Sequence, residues 1–240
     1  MIFTSLLIVW IVIDTFVMSL TAITVSLFSR NGNSVHLIAR FWAKSILWAS
    51  RIKIDVQGLS NLDPDKPFVY MCNHQSNFDI PVLYAALPIQ FRWLAKKELF
   101  RIPIFGSAMR GAGYVSIDRF NRQSAINSIS KAAERIRNGV SVMIFPEGTR
   151  STDGKIAKFK KGGFFLALDA GVPIVPVVIN GTWPIMSKGS LLINPGEVNV
   201  SIIPPIDISV YSEENKDELI DKVRNIIINT FEASEADRGI

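Results

Sequence analysis

The 240-residue sequence holds one cysteine and two histidines. A single thiol excludes an internal disulfide, and so few thiols and imidazoles exclude a zinc-type cluster. That one cysteine, Cys72, closes the apolar run Phe68-Val69-Tyr70-Met71-Cys72, where a buried core thiol is expected rather than a nucleophile. No Gly-x-Ser-x-Gly elbow occurs, so the usual hydrolase nucleophile is missing. Internal repeats and low-complexity segments are absent too, and the one linker-like stretch is 29–33. No basic stripe interleaved with aromatics runs through the chain, which argues against a nucleic-acid partner.

Charge is nearly absent from residues 2–28, where Asp14 is the only ionisable side chain and Leu, Ile, Val and Phe dominate. As one helix this run is roughly 40 Å long, against a hydrocarbon core of about 30 Å. Asp14 near its middle costs about 2.5–3.5 kcal/mol on insertion scales, which the apolar residues together outweigh. No Lys or Arg precedes the run, which argues against a cleaved signal peptide. A membrane anchor is expected, spanning or partly inserted. Residues 34–51 then read as an amphipathic helix with Leu37, Ile38, Phe41, Trp42 and Trp48 on one face and Arg40, Lys44 and Arg51 on another. Two readings fit it: a helix in the membrane interface, or a surface helix packed on the protein's own core. The basic residues after the first helix place the rest of the chain on the cytoplasmic side, at the cytoplasmic membrane if the source is bacterial.

The net charge of +5 divides into −5 beyond residue 206 and +10 before it. A basic body suits anionic membrane lipids or phosphate-bearing substrates.

From residue 52 the pattern alternates. Strands are expected at 52–57, 67–72, 92–95, 113–117, 140–145, 173–179 and 197–203, and helices at 79–87, 103–111, 122–138, 160–170 and 213–231. This predicts an α/β domain over 52–240, with a mainly parallel sheet flanked by helices, after an N-terminal membrane-anchoring helical segment over 1–51.

Four stretches interrupt the pattern near strand ends, where ligands collect in open α/β sheets. The first is Asn73-His74-Gln75-Ser76-Asn77-Phe78-Asp79. A carboxylate five positions after a histidine can fix the imidazole tautomer across a turn and stabilise the imidazolium. Asp79 followed by Pro81 reads equally as an ordinary helix start, with His74 a satisfied loop residue. If the pair is catalytic, no protein nucleophile accompanies it, and a substrate hydroxyl fills that place. The second stretch is Asp118-Arg119, an ion-paired turn or a phosphate ligand. The third is Pro146-Glu147-Gly148-Thr149-Arg150. Arg150 can hold a phosphate through two parallel hydrogen bonds, and Thr149 and the Gly148 backbone can add donors. Glu147 can accept from a glycerol hydroxyl, brace Arg150 or Arg119, or simply form a local ion pair. Lys155, Lys158, Lys160 and Lys161 follow, either a solvated charge run or, through Lys161 at a helix start, an extension of an anion site. The fourth is Val172-Pro173-Ile174-Val175-Pro176, whose prolines are expected at a strand entry or pocket wall.

Together the four stretches, in this order and spacing, resemble the glycerolipid acyltransferases, specifically the 1-acyl-sn-glycerol-3-phosphate (lysophosphatidate) acyltransferase family. Asn73 to Asp79 matches its NHxSxxD block, Tyr114 to Arg119 looks like its second block, Phe145 to Arg150 matches FPEGTR, and Val172 to Pro176 looks like VPxxP. The resemblance covers roughly residues 52–205 and implies a glycerolipid acyltransferase-like fold. It implies that His74 is a general base oriented by Asp79, which draws the proton from the sn-2 hydroxyl of lysophosphatidate. The hydroxyl then attacks the thioester of acyl-CoA or acyl carrier protein, giving phosphatidate for phospholipid biosynthesis. It assigns Arg119, Glu147, Gly148, Thr149 and Arg150 to the glycerol phosphate, and we add Lys161. No metal or redox cofactor is implied. Competing readings are acyl transfer to glycerol 3-phosphate or another lysophospholipid, a membrane-bound hydrolase, and a non-catalytic membrane adaptor.

Overall fold

The computed structural model describes residues 2–29, 31–118 and 120–237. Seven strands form one sheet: β1 (Ile52–Gln57), β2 (Val69–Cys72), β3 (Arg92–Lys96), β4 (Val115–Ile117), β5 (Val142–Ile144), β6 (Ile174–Asn180) and β7 (Gly196–Ile202), in the order β1-β7-β6-β2-β5-β3-β4. Every pairing is parallel except β6 with β7, so the sheet is mixed, with its parallel part on the β2, β5, β3 and β4 side. Each expected strand is present. The expected helices appear as α3 (Asp79–Ala86), α4 (Phe105–Gly111), α5 (Arg122–Arg137), α6 (Gly162–Ala170) and α8 (Lys216–Asp237), with α1 (Ile2–Ser26) and α2 (Asn33–Ala49) ahead of them. One short helix, α7 (Thr182–Ile185), has no sequence periodicity to announce it.

The central strands are apolar without alternation because both faces are covered; β2, β5 and β6 are buried throughout. The pleat sorts β2 between the two layers. Tyr70 and Cys72 join one core with Ala43, Ile46 and Leu47 of α2 and Val82 and Leu83 of α3. Val69 and Met71 join the other with Ala133 and Ile136 of α5, Phe164 of α6, and Leu219, Val223 and Ile227 of α8. Of the two prolines, Pro173 precedes β6 and Pro176 sits within it opposite Met71, so they shape the strand and not the cavity described below.

The first core also contains Leu7 of α1, and α1 and α2 pack on each other and on α4 and α3. The N-terminal segment is therefore built into the α/β body. Helix α2 packs on the protein's own core through Val35, His36, Ala43, Ile46 and Leu47, while Leu37, Phe41 and Trp48 stay exposed. Helix α1 is inverted. Its buried residues include Thr4, Asp14 and Ser19, and its exposed face carries Leu6, Val9, Val12, Ile13, Phe16 and Val17. Asp14 lies beside Ser45 of α2, away from that outer face. The hairpin turn is anchored as well, since the buried Arg92 of β3 donates to the Asn31 carbonyl at 2.9 Å and to Asn33 Oδ1 at 2.6 Å.

Candidate active site

The loop between β2 and α3 is locked before any side chain reaches a substrate. Asn73 imitates a strand residue: its Nδ2 donates to the Ile179 carbonyl at 2.8 Å and its Oδ1 accepts the Ile179 N–H at 2.9 Å. The next residue, His74, has its own N–H on Glu147 Oε1 at 2.7 Å, and its carbonyl accepts the Ser151 N–H at 2.8 Å. His74 Nδ1 lies 2.7 Å from Asp79 Oδ2, the same oxygen that accepts the Gln75 and Ser76 N–H groups at 2.7 and 2.8 Å. Asp79 Oδ1 accepts the Thr182 hydroxyl at 2.5 Å.

Asp79 is thus not the cap of α3. The cap position is Phe78, and the Asp79 carboxylate turns back to the loop before it. Both oxygens of this fully buried carboxylate already accept from other donors, so His74 Nδ1 is the donor in their contact and its tautomer is fixed with the proton on Nδ1. The His74 ring stacks on Phe145 at 3.8 Å between centroids and 6° between planes, so its tilt is fixed too. Its Nε2 has no protein partner among the described residues. The hydroxyl of Ser76, the closest in sequence, donates to the Met186 carbonyl at 2.7 Å, and burial pushes the Cys72 thiol well above its ordinary range. Neither serves as a nucleophile.

His74 lines a cavity of about 360 Å³ between the strand ends and the N-terminal hairpin. One part of the lining is cationic and polar: Lys96, Gly148, Thr149, Arg150 and Lys188. The rest is mostly apolar, from Ile80, Trp93 and Tyr114 to Ala22 and Met18 of α1 and Val35, Ile38 and Ala39 of α2, with Thr15 and Ser19 of α1 among them. Gly148 needs its glycine, because its φ of +73° is left-handed and a Cβ there meets the Lys160 side chain at 3.0 Å. Lys188 Nζ lies 3.2 Å from both Thr149 Oγ1 and the Arg150 carbonyl, and it has no carboxylate partner among the described residues.

The expected substrate ligands separate on this geometry. Gly148, Thr149 and Arg150 line the cavity. Glu147 does not: it is 2 % exposed, and its second oxygen accepts the Ala157 N–H at 2.8 Å, so its carboxylate ties the His74 loop to the 151–160 loop. Burial pushes its carboxyl up to about 7 against the pull of those two N–H groups. Lys161 is exposed and ion-paired with Asp217 at 3.0 Å, facing α8 rather than the cavity. Arg119 lies outside the described residues, and its neighbour Asp118 pairs with Lys97. Sequence reasoning missed Thr182 and Lys188, both on the β6–β7 connection, where no motif marks them.

A family model described as Acyltransferase matches residues 53–180. The human 1-acyl-sn-glycerol-3-phosphate acyltransferase alpha is 33% identical over 84% of this chain and 72% of its own length. The chain is a member of the 1-acyl-sn-glycerol-3-phosphate acyltransferase family. A chloroplastic member from Brassica napus is 40% identical over 82% of this chain, which spans 56% of that protein's length. The crystal structure of the 1-acyl-sn-glycerophosphate acyltransferase from Thermotoga maritima superposes with a TM-score of 0.84 at 28% identity, covering 98% of this chain and 95% of its own. That correspondence includes the N-terminal hairpin as well as the sheet.

Proposed function

We propose that the protein transfers a fatty acyl group from acyl-CoA or acyl carrier protein to the sn-2 hydroxyl of lysophosphatidate, making phosphatidate. The observation that carries this reading is a tautomer-fixed histidine with no protein nucleophile, facing a cavity that is cationic on one part and mostly apolar on the rest. His74 Nε2 takes the proton as the hydroxyl oxygen attacks the thioester carbonyl. The tetrahedral intermediate collapses, the C–S bond breaks, and the leaving thiolate recovers the proton from the imidazolium. Asp79 orients the ring and stabilises that imidazolium. Arg150, with Thr149 and the Gly148 backbone, binds the acceptor phosphate, and Lys188 adds a second cation beside it. The apolar lining receives an acyl chain. The reaction as proposed calls on no metal or redox cofactor.

Membrane lipids are the second partner in this reading. The outer face of α1 and the Leu37, Phe41 and Trp48 face of α2 enter one leaflet, with Arg40 and Lys44 at the lipid headgroups on the cytoplasmic side. A helix packed along α2 and α4 is not free to cross the bilayer alone, because spanning would carry those charged neighbours with it.

The test incubates the full chain on anionic vesicles with lysophosphatidate and either acyl donor, and follows phosphatidate by mass spectrometry. Phosphatidate from the wild type with at least one donor, and free fatty acid no faster than without enzyme, is the expected result. Free fatty acid without phosphatidate overturns acyl transfer. Product from glycerol 3-phosphate but not lysophosphatidate overturns the acceptor.

A further inference from the structure

Thr182 is the first residue of α7, reached through Gly181 at φ +107° just past the end of β6. Its side chain is fully buried and its hydroxyl donates to Asp79 Oδ1. The chain on either side of it is fixed to the same catalytic loop. Three residues upstream, Ile179 pairs through its backbone with Asn73, and four residues downstream the Met186 carbonyl accepts the Ser76 hydroxyl. Thr182 is thus held opposite Asp79 by contacts independent of its own hydrogen bond.

An aspartate needs such a partner. The terminal torsion of a carboxylate is broad and roughly two-fold, so a group held only through Oδ2 rocks about its Cβ–Cγ bond. His74 and two backbone N–H groups already crowd Oδ2. A donor on Oδ1 stops the rocking and satisfies the last buried oxygen. We propose that Thr182 is a positioning residue of the acid–base pair, a third member that sets the Asp79 carboxylate plane and through it the His74 ring. It exchanges no proton during the reaction. Comparable supporting contacts around metal-ligating histidines are worth about one to two orders of magnitude in affinity or activity.

A charge effect accompanies the geometric one. The hydroxyl draws negative charge from Asp79. Without it the carboxylate attracts the imidazolium more strongly. The acid limb of the kcat/KM profile then moves upward. Other groups face the pair: Cys72 from β2, Glu147 from the turn after β5, and Lys96, Tyr84, Tyr114, Arg150 and Lys188 around the cavity. None of them touches Oδ1, so the Thr182 effect is read as the difference between variant and wild type.

The inference rests on His74 being the base, and the experiment keeps the two apart. Thr182→Val removes the hydroxyl at nearly constant volume, Thr182→Ser keeps it, and Thr182→Cys stands in for valine if that variant does not fold. Steady-state kinetics over pH 5–9 are paired with NMR of 15N-histidine-labelled protein, which reads the His74 Nδ1 proton without substrate. We expect Thr182→Val to lower kcat by about 10-fold with both KM values within about two-fold. Its acid limb moves up and the Nδ1 resonance moves, while Thr182→Ser recovers most of the rate and the wild-type spectrum. Wild-type kcat, pH profile and spectrum in folded Thr182→Val overturn the inference. So does a rate loss with an unmoved limb and resonance, or one that serine does not recover. A wild type with no acyl transfer defeats the functional reading, and the resonance then decides the positioning role alone.

Discussion

On the sheet side of the cavity, polar groups are buried and held: Asp79 and Thr182 are fully enclosed, and Glu147 is nearly so with both oxygens occupied. On the hairpin side the arrangement is reversed. Helix α1 turns Thr4, Asp14 and Ser19 inward and leaves Leu6, Val9, Val12 and Phe16 outside. Those three side chains follow the rule for a water-surrounded protein, in which enclosed polar groups are paired. The hairpin side leaves an apolar face outward, the face that enters lipid in the function proposed above. The cavity lies between them, lined by His74, Lys96, Thr149, Arg150 and Lys188 on one part and largely by apolar side chains of the sheet and of both hairpin helices on the rest.

The sharpest way to break the polar wall is His74→Ala. With His74 as the proposed base, its loss lowers kcat by about 10²–10⁴-fold, while the fold persists because Asp79 keeps three of its donors; phosphatidate formation and circular dichroism check the two halves. The apolar wall is broken by Val9→Lys with Phe16→Lys. Each lysine faces outward, so the fold is spared and vesicle partitioning falls by about 100-fold in a flotation assay. Arg150→Ala comes next, raising KM for lysophosphatidate by about 10-fold or more with a smaller change in kcat; Lys188→Ala moves it in the same direction by less.

The buried Glu147 gives a pH signature of its own. Its folded value of about 7 lies above the ordinary 4.5, so between those pH values the folded protein holds a proton that the unfolded chain has released. Its contribution to stability therefore falls as pH rises from 4.5 to 7 and is level above. Against Glu147→Gln, the wild-type Tm advantage shrinks by several degrees across that interval and then stops changing, as measured by thermal melts at pH 5, 6, 7 and 8. The smallest effect belongs to Lys161→Ala, whose exposed pairing with Asp217 lies off the cavity. Its kcat and KM stay within about two-fold of wild type.

Much of this was legible in the residues. The apolar runs that became β2, β5 and β6 carry their own boundaries, and His74 with Asp79 sits within a single turn, so local spacing sufficed to pair them. Asp14 illustrates the limit. Uniform apolarity around α1 conceals which face is buried, and only packing on α2 showed that the aspartate points inward. Glu147 and Lys161 illustrate another. A carboxylate beside a phosphate turn and a lysine at a helix start look like ligands until long-range partners claim them, Ala157 and the His74 backbone for one and Asp217 for the other.

The sequence by itself determined the alternation of strands and helices, the apolar N-terminal run, the histidine–aspartate pair and the Gly148-Thr149-Arg150 turn. Periodicity and short spacing are local properties that survive without a fold. Only the tertiary structure decided that α1 and α2 wall the cavity, that Glu147 braces rather than binds, and that Thr182 and Lys188 reach the site from a connection without a motif. Those assignments depend on which distant backbone and side-chain groups meet when the sheet assembles. Thr182 and Asp79 stand 103 positions apart in the chain, and only the packing of β6 beside β2 brings them together.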